Sequence, residues 1–144
     1  VANTIHRHAV VAYSSADMYA LVSDIESYPR FLPWCTAAQI LDYADNTVVA
    51  RLSLSKGRVA QSFTTRNVLC PDNAIDMSLV DGPFRFLNGR WTFTPLHDAM
   101  SEVALDLNYE FKNKILALAV GTVFNQISNA MVDAFCERAH ELYG

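Results

Sequence analysis

The chain has 144 residues, 51% of them hydrophobic, and a formal net charge of −4. That length suits one domain with a core large enough to need no disulfide or metal. The acidic balance argues against DNA and against general nucleic-acid binding. Charged residues make up only 18% and aromatics 11%, so the surplus apolar side chains need a dense core, a lined cavity or an adhesive surface.

In chain order, Thr4 to Val11 reads as a short strand. Ser14-Ser15-Ala16-Asp17 then starts a helix, with a hydroxyl cap and an acid near the positive helix end. Met18, Leu21, Val22 and Ile25 follow at helical spacing, and the helix is expected to end near Glu26-Ser27. Pro29 turns Tyr28 away from helical geometry. The segment Tyr28 to Cys35 carries Phe31, Leu32 and Trp34 between and beside Pro29 and Pro33. It is too apolar for an ordinary surface loop, so it must pack inward, cap an opening or bind something.

From Ala37 the period changes to two. Val48, Ala50, Leu52 and Leu54 share one parity, and Lys56-Gly57-Arg58 makes a tight connection. Val59, Gln61, Phe63, Thr65 and Asn67 share one face, which mixes polar groups with an aromatic ring. Ile75, Met77 and Leu79 form the next set, and Asp81-Gly82-Pro83 breaks it. Leu87, Gly89, Trp91 and Phe93 follow, and His97-Asp98 turns the chain. Val103, Leu105, Leu107, Tyr109 and Phe111 give the clearest alternation in the sequence. From about Lys114 to Leu142 a helix carries Leu116, Val120, Val123, Phe124, Ile127, Met131, Ala134 and Phe135 on one broad stripe. Its first turns are apolar nearly all round and are therefore expected to be buried. Gly121 weakens the helix by roughly 1 kcal/mol relative to Ala and offers a place for close approach of a strand or ligand. The stretch Ile115 to Phe124 is too short to span a bilayer.

The expected fold is a single α+β domain over residues 1–144. Six or seven antiparallel strands form a curved sheet around the long C-terminal helix. Cys35, Cys70 and Cys136 are distant, odd in number and outside any CxxC pair, which suits free thiols in a reducing compartment. No signal peptide is recognisable, while a chain beginning at Val1 leaves a removed leader open. Eight basic residues lie from Arg51 to Lys114 against seven acidic ones, whereas the rest of the chain has three against eight. Arg51, Lys56, Arg58, Arg66, Arg85 and Arg90 are thus either a modest basic patch or solvated strand edges that deter aggregation.

Four strings carry a family resemblance: Ser-Asp-Ile-Glu-Ser-Tyr-Pro-Arg-Phe-Leu-Pro-Trp-Cys (23–35), Asp-Gly-Pro-Phe (81–84), Trp-Thr-Phe-Thr-Pro (91–95) and Ala-Phe-Cys-Glu-Arg-Ala (134–139). Across essentially its whole length the chain resembles the coenzyme Q-binding START-domain proteins. That group includes ribosome association toxins of the RatA type and belongs to the polyketide-cyclase-like START superfamily. The resemblance implies a helix-grip fold with a hydrophobic cavity between sheet and helix. It implies binding of ubiquinone or a related polyprenyl lipid in support of respiration, with no covalent cofactor. Its alternative implication is binding to the large ribosomal subunit that blocks subunit association, and a third is an oligoketide cyclase. A cytoplasmic protein with transient contact at the inner membrane fits this group, and a mitochondrial location stays open with the leader.

The expected ligand wall is Leu52, Gln61, Phe63, Met77, Trp91, Leu105 and Tyr109 from the strands, with Val120, Val123, Phe124 and Ile127 from the helix. Phe31, Leu32 and Trp34 would gate its mouth or form a packed loop. Tyr109 would offer its hydroxyl to a ligand carbonyl or to solvent. Catalysis is not expected: His6, His8, His97 and His140 are scattered, and HExxH, GxSxG and Gly-rich phosphate loops are missing. The principal expectation is a carrier of an apolar molecule, driven by desolvation. At about 25 cal/mol per Å2, a few hundred Å2 of prenyl tail supplies several kcal/mol before entropic losses.

Overall fold

The computed structural model of the chain describes residues 2–97 and 99–144. Element order is β1 (Asn3–Val11), α1 (Ser15–Ser23), η1, a 3-10 helix (Ile25–Arg30), β2 (Cys35–Ala44), β3 (Thr47–Lys56), β4 (Val59–Cys70), β5 (Ala74–Asp81), β6 (Phe84–Pro95), β7 (Ser101–Phe111) and α2 (Lys114–Tyr143).

Short connections make β2 to β7 an antiparallel meander. Asp45 and Asn46 both take positive φ, the requirement of a two-residue type I′ hairpin between β2 and β3. Gly57 supplies a positive φ (61°) between β3 and β4. β1 pairs with β7 at full length, from Asn3 opposite Tyr109 to Val11 opposite Ser101. The sheet therefore has seven strands in the order β1-β7-β6-β5-β4-β3-β2, with α1 and η1 carrying the chain from one edge to the other. Register shifts in β2 against β3, at Thr64/Thr65 and at Phe84/Phe86 add local bend and twist. The turn at His97 is closed by Met100 N–H donating to His97 O at 3.0 Å; its partner Asp98 lies outside the described residues.

Ser14 caps α1 by accepting from Asp17 N–H at 3.1 Å, and Met18, Leu21 and Val22 are buried. The helix stops at Ser23, earlier than the spacing suggests, because the chain tightens into the 3-10 turn that holds Pro29. Asn113 caps α2 by accepting from Leu116 N–H at 2.9 Å. The α2 stripe packs on the inner face of the sheet: Ile127 and Phe135 are buried and Met131 is half-buried. α2 is also long and apolar enough to cross a membrane by length and composition, but this packing makes it the core helix.

Two expectations about α2 are corrected. Its first turns are not buried all round: Ile115 is 78% and Leu118 85% exposed, because only the Leu116, Val120 and Val123 side meets the sheet. Gly121 makes no unusually close approach, since a Cβ there would sit 3.7 Å from Phe111 Cε2, an ordinary contact.

The core divides in two. One cluster joins α1 and η1 to Trp91, Phe93, Val103, Leu105 and the C-terminal half of α2 through Val132 and Phe135. The other joins Ile5, Leu54, Phe84, Leu87, Leu107, Tyr109 and Phe111 to Val120, Phe124 and Ile127. Met77 and Trp34 touch both.

Gly82 explains the Asp-Gly-Pro-Phe string. It has φ 156°, and an added Cβ would lie 2.7 Å from Phe63 Cβ. Gly82→Ala is expected to destabilise the fold by about 1–3 kcal/mol, measured by urea unfolding. An unchanged midpoint would show that β4 yields freely there.

Candidate functional site

The site follows from the spacing of large rings on α2. Phe124 and Phe135 are both buried and stand about three turns apart. Phe124 packs edge-on against Tyr109 (4.7 Å between centroids) and Phe84 (5.0 Å). Phe135 packs edge-on against Trp91 (5.4 Å) and Tyr28 (5.2 Å). Between them α2 turns the smaller Ile127, Ser128 and Met131 toward the sheet, and the facing strands offer Ala50, Leu52, Thr65, Asn67, Leu105 and Leu107. These side chains do not close the gap. A cavity of about 80 Å3 remains at the seam of the two core clusters, completed by Ile25, Tyr28, Leu54, Phe63, Met77, Leu87 and Trp91. One water needs roughly 10–15 Å3 of such space, so the void is several times that size. A second void of about 10 Å3 adjoins it through Leu54, Phe63, Phe124 and Ile127, bounded by Lys56, Val59, Gln61, Pro83, Val120 and Val123.

The wall is apolar apart from three side chains. Thr65 Oγ1 donates to Asn67 Oδ1 at 3.0 Å, which fixes the amide. Asn67 is only 4% exposed and Ser128 3%. Among the described residues neither the Asn67 amide nitrogen nor the Ser128 hydroxyl has a hydrogen-bond partner within the protein. Among the described residues no fully buried side-chain donor or acceptor is left without a partner, so these two groups keep some access to the cavity, where a ligand or water can accept from them. The arrangement suits a largely apolar molecule with an acceptor such as a carbonyl.

Nothing on the wall is poised for covalent chemistry. The Tyr28 hydroxyl donates to Val22 O, and burial, reinforced by Cys35 and Asp24, pushes its pKa well above the usual value. Burial also raises the Cys35 and Cys136 thiols, which keeps them protonated and poorly nucleophilic. His6 pairs with Asp106 and His8 with Glu102 on solvent-exposed parts of β1 and β7. Among the described residues no group of three or more His, Cys, Asp and Glu side chains is placed to hold a metal.

Of the residues expected at the site, Leu52, Phe63, Met77, Trp91, Leu105, Phe124 and Ile127 line the main cavity. Gln61, Val120 and Val123 line the smaller void instead. Four are on neither wall and are corrected here. Tyr109 is locked among Phe84, Phe111 and Phe124. Phe31 packs edge-on against Phe135 and lies under the Arg138 guanidinium, 5.0 Å from its ring centroid. Leu32 is fully buried in the α1 cluster and Trp34 packs across both clusters. The 3-10 turn is the reason, because it sends Tyr28 rather than Phe31 toward the cavity. Thr65 and Asn67 carry a sequence signal, polar groups at inward parity with Phe63. Ser128 has one only after the register of α2 is known, four residues beyond Phe124.

The outer surface sorts the basic residues. Arg90 holds both Asp76 oxygens at 2.7 Å, and Arg85 meets Glu110 at 3.1 Å. Arg51, Lys56, Arg58 and Arg66 have no ion pair among the described residues. Arg51 lies opposite Thr64, and Arg66 lies two residues further along β4 on the same outer face.

Known proteins place this architecture in context. Residues 11–136 match the family model described as polyketide cyclase/dehydrase and lipid transport. The chain is 42% identical over 140 residues to the ribosome association toxin RatA of Pseudomonas aeruginosa, covering 97% of each. It is 27% identical over 139 residues to the mitochondrial coenzyme Q-binding protein COQ10 homolog B of Xenopus laevis, covering 94% of this chain and 57% of that one. In fold it is similar to the Zhui aromatase/cyclase of Streptomyces sp. R1128, with TM-score 0.86, 16% identity and coverage of 97% and 94%.

If the seam is unfilled space, added bulk is tolerated there. Ala50→Leu points new methyl groups into the main cavity, and its thermal midpoint should stay near wild type. In a filled core the same change costs about 1–3 kcal/mol. A large drop in midpoint, measured by calorimetry on ligand-free protein, would count against the cavity.

Proposed function

The chain belongs to the polyketide cyclase/dehydrase and lipid transport family, and from that premise we propose that its main function is to associate with the large ribosomal subunit. The observation that carries this reading is the 42% identity, across 97% of both chains, with a relative named for ribosome association. The coenzyme Q-binding relative is matched at 27%. The expectation of a quinone carrier as principal function therefore gives way to ribosome association.

The surface supports the reading. Ribosomal RNA presents phosphates, which unpaired guanidinium groups bind through charge-assisted, bidentate hydrogen bonds. Arg51 and Arg66 supply such groups on the outer face of β3 and β4, with Lys56 and Arg58 at the hairpin end. Arg90, already held by Asp76, is a poor candidate. Association of this kind requires no covalent step, and its partner would place the protein in the cytoplasm.

A second reading is favoured by one specific observation, the apolar cavity with the Asn67 amide and Ser128 hydroxyl on its wall. The interior binds an apolar molecule bearing a carbonyl, the class to which quinones belong. The two readings use opposite sides of the sheet and are compatible in one molecule.

For the ribosome, Arg51→Glu combined with Arg66→Glu should weaken cosedimentation with large subunits at low salt by about tenfold or more, and wild-type binding should fall steeply with salt. No wild-type binding, or a variant that binds unchanged, sinks the proposal. For the cavity, Asn67→Leu should weaken a short-chain quinone by roughly tenfold, the scale of one buried hydrogen bond, and leave a hydrocarbon of equal size unaffected. Quenching of Trp91, which lines the wall, is the readout.

A further inference from the structure

We infer that the N-terminal end of α2 is a docking surface for a bilayer containing anionic phospholipid. Ile115 and Leu118 are 78% and 85% exposed, and with Ala119 and Thr122 they occupy one solvent-facing stripe at i, i+3, i+4 and i+7. Two large aliphatic side chains this exposed, on the same short stretch of helix, have no role in the core.

The charges around them specify the partner. Lys112 and Lys114 flank Ile115, and no Asp or Glu occurs between Glu110 and Asp133. Lys112 N–H donates to Pro83 O at 3.0 Å, which ties the start of α2 to the β5–β6 turn. Lys56 and Pro83 bound the same small void as Val120 and Val123, so the basic hairpin end lies beside this part of α2. Exposed peptide N–H groups of the first turn add positive potential. An apolar stripe beside lysines, on a helix stretch without an acid from Lys114 to Val132, matches the acyl and headgroup layers of an anionic membrane.

Other occupants fit less well. RNA would satisfy the lysines but gain nothing from Ile115 and Leu118. A second copy of the chain on the same stripe would bring two lysine-bearing surfaces of like charge together. The smaller void lies on the other, sheet-facing side of this part of α2, against Val120 and Val123.

The test is sedimentation of the full chain with vesicles of phosphatidylcholine and phosphatidylglycerol, against phosphatidylcholine alone. Wild-type protein should pellet with the anionic vesicles and much less with the neutral ones. Ile115→Gln combined with Leu118→Gln keeps helix-forming residues at exposed positions and should weaken binding by roughly tenfold. Lys112→Glu with Lys114→Glu should do the same, and added salt should reproduce that loss. Near-ultraviolet circular dichroism checks that both variants stay folded. Failure of the wild type to bind anionic vesicles, equal binding to neutral ones, or retention by the glutamine variant overturns the proposal. So does a wild-type dimer that the glutamine variant dissociates, or loss of ribosome cosedimentation in that variant, since either outcome assigns the stripe to a different partner.

Discussion

Phe124 and Phe135 sit on one face of a straight helix, about 16 Å apart along its axis, and each gathers its own set of aromatic partners from the sheet. A helix cannot shorten that spacing, so the sheet must bend to reach both. The rings at either end hold sheet and helix apart, and the side chains between them are too small to bridge the gap. The void is thus a consequence of two well-packed ends. Dispersion and ring geometry favour each aromatic cluster strongly enough to leave the middle unfilled.

Family motifs gain a physical meaning in this frame. The Tyr-Pro-Arg-Phe-Leu-Pro-Trp-Cys string forms a 3-10 turn that inserts Tyr28 and Leu32 beneath the C-terminal half of α2. Phe31 then clamps Phe135 from outside, with Arg138 over its ring. Gly82 lets the β5–β6 turn pass against Phe63, one of the residues that border both voids. These are positioning devices for the interior wall, and none of them supplies a reactive group.

The exterior is divided as well. Across the outer face, Val68, Asp76, Arg90, Asp106 and His6 stand in register on successive strands. Arg90 is paired with Asp76, and His6 contacts Asp106. Exposed pairs of this kind contribute little to stability, and among the described residues Arg51, Lys56 and Arg66 are strand cations without an ion pair. On the free edge, Glu26 accepts from Ile40 N–H at 3.1 Å and shifts in register bend β2, both of which discourage a further strand from adding.

The sequence alone determined the elements and their inward faces. Val103, Leu105, Leu107, Tyr109 and Phe111 alternate because every second residue of a strand points the same way, and Phe124, Ile127 and Phe135 recur because a helix turns every 3.6 residues. The order of strands was legible from short connections, and Thr65 and Asn67 announced polar groups inside the sheet. What periodicity cannot encode is how much volume two distant elements leave between them. Tyr109 and Leu105 share one parity on one strand, yet one is locked among rings and the other borders empty space. Likewise Ile115 and Leu116 are neighbours in an apolar run, and only the contact of α2 with the sheet made one of them surface and the other core. Burial is a property of pairs of elements brought together from far apart in the chain, so the tertiary structure alone decided where the cavity lies, which arginines stay unpaired and which end of α2 is left uncovered.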